Sequence, residues 1–412
     1  MGTYKEATLM LAARYVELLS ELNDKYLSGG DHQLEAIYRF DLEYLNLSSI
    51  RQKIANLAMT ITAVDSDSEA DYFILDTCNT LVNIGAHLIN QRLSLQERIL
   101  WLKDALSASR ILKIDSTTQA HLGNLGLAYY ELGDTDIAIK YLTEALTIAS
   151  QIKDLIHQGA WLGNLGMVHA FLGERELAIN SYEQSLVLAR KSNDFRGQSH
   201  ALENLGAAFA SIGKIKDAQK CYRKSIRFAR AIKDYDTECA NLINLGRIYH
   251  DLGKIPIARW KLRQASHIAE KYQKQDSLDL ILVSRVDIDI DQGNYNSAIR
   301  DLQARICLDE FNKSVEMEML QSLGNAYLRG DQFSEAEAVF LRLLSIAEAV
   351  RSKVHIFASV SNLTCVYRYL GQYDKVCSFA QQGLLLAEEL GLDAQREFIV
   401  KQLDAQGIQD GL

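Results

Sequence analysis

Few groups in this 412-residue chain are spaced for covalent or metal chemistry. The run Asp287-Ile-Asp289-Ile-Asp291-Gln-Gly293 puts carboxylates at alternate positions, as the opening of a calcium loop does. Its glycine comes one residue late, and Ala298 stands at the twelfth position where a bidentate glutamate is required, so an acidic helix end is the competing reading. Gly123-Asn-Leu-Gly126 and Gly163-Asn-Leu-Gly166 look like phosphate-binding turns, but no strand precedes them and they fall inside a helical pattern. The nine histidines are widely scattered, which gives no metal pair at helical spacing. His169 takes the place of Tyr129, Phe209 and Tyr249 in other repeats and reads as a packed interface residue. Trp101, Trp161 and Trp260 read as core or ridge. No phosphate loop, zinc helix motif or nucleophile elbow occurs.

The chemistry that does recur is that of a carboxamide. Asn124, Asn164, Asn204 and Asn244 stand at one fixed interval, and Asn362 joins them later. A carboxamide both donates and accepts hydrogen bonds, so a row of them can pair with the backbone of an extended peptide whatever its side chains. Such a row can equally bond to neighbouring helices and fix a stacking angle.

The elements that must hold this row are helical. One proline, Pro256, against about 20 expected for this length argues against an all-β chain and against proline-rich linkers. With 48% hydrophobic residues the chain has ample core material. Its net charge of −9 opposes generic nucleic-acid or anionic-membrane binding, although local basic patches are compatible with it. The six cysteines, Cys78, Cys221, Cys239, Cys307, Cys365 and Cys377, show no paired spacing and read as reduced thiols of a cytoplasmic protein. Neither a membrane span nor a signal peptide is expected.

The repeat is explicit. Leu125-Gly126, Leu165-Gly166, Leu205-Gly206 and Leu245-Gly246 recur at the same interval as the asparagines. Each is followed by a second glycine (133, 173, 213, 253) and then by an alanine (138, 178, 218, 258). The pattern returns two residues out of step at Leu323-Gly324, Gly330 and Ala336, and again at Leu363-Thr364, Gly371 and Val376. Within one unit Leu122, Leu125, Gly126 and Tyr129 mark one face of a helix A. Gly133 supplies a left-handed helix end, Asp134 is placed to cap the next helix, and Ala138, Leu142 and Ala145 mark helix B. Small residues at the facing positions allow close packing. A hairpin of this kind buries only part of its surface alone, so neighbours must stack.

These residues resemble the tetratricopeptide repeat. The 40-residue unit, without the usual terminal proline, resembles most the subtype of Leu-Gly-Asn spindle-orientation adaptors and of the C-terminal arrays of bacterial STAND-type ATPases. The resemblance implies an all-α, right-handed α-α superhelix of about seven to eight helical hairpins. Residues 1–78 read as an N-terminal helical region with helices at Glu6 to Tyr26 and Gln33 to Met59, split by Ser28-Gly29-Gly30-Asp31. Residues 79–112 read as a degenerate first repeat, 113–391 as the array with a degenerate copy at 279–305, and 392–412 as a capping helix and tail.

The resemblance also places ligand binding on the concave face, lined by positions two, five, six, nine, twelve and thirteen of each A helix. The asparagines take position six. Ala120, Gly123, Leu127, Tyr130, Met167, Ala170, Phe171 and Glu203 make the first half smooth and largely apolar, while Arg247, His250, Asp287 and Asp291 add charge further on. Position two lacks the arginines of the Leu-Gly-Asn adaptors, and no paired lysines form a carboxylate clamp. A largely apolar peptide or helix with one charged flank fits this pattern. Small residues that merely permit a tight superhelix are the alternative. The expectation is a non-enzymatic adaptor without metal or cofactor that binds a protein or peptide. A ligand-sensing array of a STAND-type system is the alternative, and apolar residues of Glu6 to Tyr26 are available to pair with a second copy.

Overall fold

The structure, a computed structural model, describes residues 2–28, 30–62, 68–84, 89, 92–307, 313–350, 352–390, 396–397 and 399–400. Every regular element among them is a helix. The first four are α1 (Gly2–Ser28), α2 (Gly30–Ala58), α3 (Glu69–Ile84) and α4 (Leu95–Leu112). Repeat 1 follows as α5 (Asp115–Leu132) and α6 (Thr135–Gln151), repeat 2 as α7 (Leu155–Phe171) and α8 (Arg175–Lys191), and repeat 3 as α9 (Phe195–Ser211) and α10 (Ile215–Ile232). Repeat 4 is α11 (Tyr235–Asp251) and α12 (Ile255–Lys271), and the degenerate repeat 5 is α13 (Gln275–Asp291) and α14 (Tyr295–Ile306). Repeat 6 is α15 (Lys313–Arg329) and α16 (Phe333–Ala349), and repeat 7 is α17 (Lys353–Tyr369) and α18 (Tyr373–Glu389).

The chain divides into two compact units, residues 1–165 and 166–412. In the first, α1, α2 and α3 pack together and α3, α4, α5 and α6 follow as consecutive neighbours. Its core joins Ala12, Ile50, Ile54, Ile74 and Leu75. Ala12, Leu19 and Leu22 of α1 are buried, whereas Met10, Leu11 and Leu27 are exposed. Residues 78 and 79, between which a boundary was expected, both lie within α3, which packs on α4. The α2 helix opens at Gly30, so Asp31 lies within it and not in the break expected between the two helices.

In the second unit, from α8 onward, each helix packs on the next, and the A helices α9, α11, α13, α15 and α17 also touch in series. The two-residue slip of the repeat falls after α14, which is 12 residues long where the B helices α8, α10 and α12 have 17 or 18. Of the expected capping helix at Leu392 to Ala405, most lies outside the described residues; Ile399 is helical and joins the core of the last repeats.

The first repeat glycine makes a notch for a large side chain of the B helix that follows it. A Cβ on Gly206 would lie 2.6 Å from the Tyr222 ring, and one on Gly324 would lie 2.5 Å from Phe340. The notch therefore receives a large side chain, where close approach of two backbones was expected. Repeat 7 exchanges the volumes: Thr364 stands at the glycine position and Ala380 at the large one, both buried. The second glycine is left-handed, as at Gly213 (φ 74°), but in repeat 6 Asp331 (φ 59°) takes that conformation instead of Gly330. The turns from B to A are left-handed too, and there Lys113, Lys153, Asn193, Lys233 and Gln273 supply it without glycine. Asp134 occupies the N-cap of α6, but its side chain makes no cap hydrogen bond. Pro256 falls in the first turn of α12, where a missing N–H costs little.

Candidate functional site

The site begins with the position-six asparagines. Asn124 on α5 and Asn164 on α7 belong to the first unit, and Asn204 on α9, Asn244 on α11 and Asn362 on α17 to the second. All five are half-buried. Among the described residues none of their carboxamides makes a hydrogen bond within the protein, so the stacking bonds allowed for them are not formed. Each leaves donors and an acceptor available beside its A helix.

The other predicted positions divide. Tyr130 is half-buried, its hydroxyl pushed up by burial. Gly123 does not face a groove: it is buried, and a Cβ there would lie 2.3 Å from the Trp161 ring, whose Nε1 donates to Gln119 Oε1 over 2.5 Å. Met167 and Phe171 are half-buried on α7. The His169 side chain, expected at a helix interface, is 18% exposed, and its Nδ1 lies 2.5 Å from Glu174 Oε2. Half-buried Glu203 of α9 has no hydrogen bond or ion pair among the described residues. Burial, helped by the charge of Asp234, pushes its carboxyl up to about 7.

Arg247, His250, Asp287 and Asp291 come together. They line one cavity of about 480 Å³, with walls from α11, α13, α15 and α17. Arg247 donates from Nε to Ser284 Oγ over 3.0 Å and pairs through its other arm with Glu318. His250 Nε2 lies 3.0 Å from Asp291 Oδ2, and Arg329 pairs with the same carboxylate. Ser322 Oγ donates to Asp287 Oδ1 over 2.7 Å. Burial holds the Asp287 carboxyl above its ordinary value, against the lowering effects of Ser322, Arg247 and His250 and with Glu318 adding to the rise. Burial also lowers His355, whose Nδ1 is 2.8 Å from Ser352 Oγ.

Sequence reasoning missed Glu318, Gln321, Ser322, Asn325 and Arg329 in this lining. They are positions two, five, six, nine and thirteen of repeat 6 once its two-residue slip is applied, so the signal was available. His355, one helical turn before position two of repeat 7, follows from no such rule. The calcium pattern dissolves because α13 is helical through it. Asp287 and Asp291 share a face toward the cavity, while Asp289 points elsewhere and meets Arg259 at 2.7 Å. Among the described residues no three His, Cys, Asp or Glu side chains are grouped to hold a metal. The six cysteines are unpaired thiols. The arrangement suits noncovalent capture: carboxamides for a peptide backbone and a mixed-charge cavity for a polar group.

Tetratricopeptide repeat models match residues 117–191, 199–232 and 320–354. The structure is similar to a Rap protein complexed with competence and sporulation factor, with a TM-score of 0.59 and 14% identity over 92% of this chain and 99% of that one. It is also similar to the apo form of the quorum sensor NprR from B. thuringiensis (TM-score 0.56, 16% identity, 86% of this chain and 97% of that one). A third similar structure is aspartyl phosphate phosphatase F from Bacillus subtilis (TM-score 0.54, 14% identity, 82% and 94%). No curated protein matches the sequence. At these identities the likeness is one of fold: the chain carries tetratricopeptide repeats in an all-helical stack of hairpins. No helix among the described residues is long and apolar enough to cross a membrane.

Proposed function

We propose that the protein is a non-enzymatic recognition module that binds a peptide, or an extended segment of a partner protein, along the A-helix face of its repeats. The observation that carries this is the set of half-buried asparagines whose carboxamides find no partner among the described residues. Half-exposed carboxamides of this kind are hydrated in the free chain and can exchange water for a ligand, and a peptide backbone offers the matching donors and acceptors at regular intervals. The cavity between Arg247 and Glu318 then takes a polar or charged flank of the ligand, and the smooth stretch with Met167 and Phe171 takes apolar side chains. The fold likeness to a protein crystallised with competence and sporulation factor and to a quorum sensor agrees with a regulator that responds to a ligand.

The test is selection of binders from a random decapeptide library on the immobilised full chain, followed by titration of the recovered peptides. Replacing Asn204 and Asn244 together by alanine should weaken those peptides at least about tenfold while far-ultraviolet circular dichroism stays unchanged, since each contributes of the order of a hydrogen bond. Unchanged affinity in the double variant overturns the carboxamide reading.

A further inference from the structure

Residues 214–233 hold eight lysines and arginines against one acid, Asp217, in a chain whose net charge is −9. Residues 254–274, which cover the next B helix, hold six against the single acid Glu270. Along α10 the cations Lys216, Lys220, Arg223, Arg227 and Arg230 fall at alternating steps of four and three, which sets them in one line over about 21 Å of helix. All five are exposed, and Lys224 lies beside them. The opposite face, with Ala218, Tyr222, Ile226 and Ala229, is buried. Like charges at this spacing repel and cost helix stability, and among the described residues Lys216, Lys220, Lys224 and Arg227 have no acidic partner to offset that cost. Arg223 bonds to the Tyr249 hydroxyl over 2.8 Å and Arg230 to Glu238 over 2.6 Å.

The neighbouring helix α12 extends the patch. Burial pushes the Lys261 ammonium down, and Arg223 and Arg230 push it further, which puts these cations within one another's field. Lys261 Nζ lies 4.2 Å from the centre of the Trp260 ring, and Trp260 is 52% exposed.

We propose that this face, α10 together with Trp260 and Lys261, binds the phosphodiester backbone of a single-stranded nucleic acid. Among the described residues the exposed side of α10 carries no large apolar residue, which leaves Trp260 as the single one on the proposed face. A helix seated on a membrane needs such residues, and so does the core of a protein–protein interface. A nucleic-acid interface is built mainly from charge, and arginines suit phosphate by their planar fork. The exposed indole favours a single strand, whose unstacked bases can lie on it. The acidic net charge describes the chain average, whereas the field at this face is set by the cations within a Debye length of about 10 Å.

The test is fluorescence anisotropy with a labelled 20-nucleotide oligothymidylate and the full chain across a salt series. About six cations neutralising phosphates predict a log–log salt slope near −4. The double variant Lys220→Glu/Arg227→Glu should bind at least about tenfold more weakly with a slope shallower by about 1.4, and Trp260→Ala should weaken binding about tenfold without moving the slope. Lys313→Glu, an exposed cation on another helix, should change neither. All these sites are exposed, so circular dichroism should be unaltered. Four results overturn the proposal: no salt-dependent binding, tighter binding to a duplex of the same length, equal competition by polyglutamate, or capture by phosphatidylserine vesicles but not by the oligonucleotide.

Discussion

The Arg175 guanidinium donates a hydrogen bond of 3.1 Å to the backbone carbonyl of Leu390, joining positions 215 residues apart. Arg175 opens the B helix of repeat 2, and Leu390 is the C-cap of the last regular helix, α18. A cation at a helix C-terminus satisfies a carbonyl without an intrahelical partner and complements the helix dipole. Leu390 also packs on the turn itself: a Cβ on Gly173 would lie 3.4 Å from its side chain. Replacing Arg175 by alanine should cost about 1 kcal/mol locally, and repeat arrays report such losses where they occur. Hydrogen exchange should therefore quicken over residues 380–390 while the central repeats keep their protection. Unaltered exchange there would mean that the contact holds nothing.

The Gly206 notch makes a prediction about paired volumes. Alanine at Gly206 overpacks against Tyr222 and should cost about 1–3 kcal/mol, and Tyr222→Ala alone leaves a cavity costing about 3–5 kcal/mol. Repeat 7 carries the reciprocal solution, Thr364 with Ala380. The double variant Gly206→Thr/Tyr222→Ala should therefore be more stable than the sum of its single variants implies, with a coupling of about 1 kcal/mol or more in urea unfolding. Additive losses would show that the two positions do not share one space.

How far the fold was legible follows from the same residues. Apolar and small residues at helical spacing, with glycines returning at a fixed interval, announced the hairpins because both mark backbone geometry directly. The B-to-A turns were not announced, since Lys153 or Gln273 in a left-handed conformation bears no compositional mark. The cavity was half legible. Arg247, His250, Asp287 and Asp291 stood at positions the resemblance points to, but their partners in repeat 6 were hidden by the two-residue slip that follows α14. The roles of Gly123 and Gly206 were hidden as well, because sequence shows that a residue is small and not which side chain lies over it.

Glu203 gives a pH dependence with a definite sign. Its carboxyl is raised by burial and by Asp234 from 4.5 to about 7, so the folded chain holds this proton more tightly than the unfolded chain. The stabilisation from that proton is fully present below pH 4.5 and is lost as pH rises to about 7. Glu203→Gln keeps a polar side chain and removes the titration. Urea midpoints measured from pH 4.5 to 7.5 should fall for the wild type relative to the variant, and parallel profiles would assign the pH dependence elsewhere. A ligand cation placed against Glu203 would favour the ionised form, so its affinity should rise with pH across the same window.

Arg247 ties three A helices, reaching from α11 past Ser284 of α13 to Glu318 of α15. Its side chain is 35% exposed and that of Glu318 is 30% exposed, so solvent screens the pair and a coupling of about 1 kcal/mol is the scale to expect. A double-mutant cycle of Arg247→Met with Glu318→Gln should return that value at low salt and less at 1 M salt. Arg247 also lowers the Asp287 carboxyl, which burial has already raised. The Arg247→Met variant should therefore raise the Asp287 titration further, as followed by carboxyl-carbon NMR, whereas Glu318→Gln should lower it because Glu318 pushes it up. The opposite signs distinguish a connected charge network from two unrelated surface pairs: if neither variant moves Asp287, the cavity does not act as one electrostatic unit.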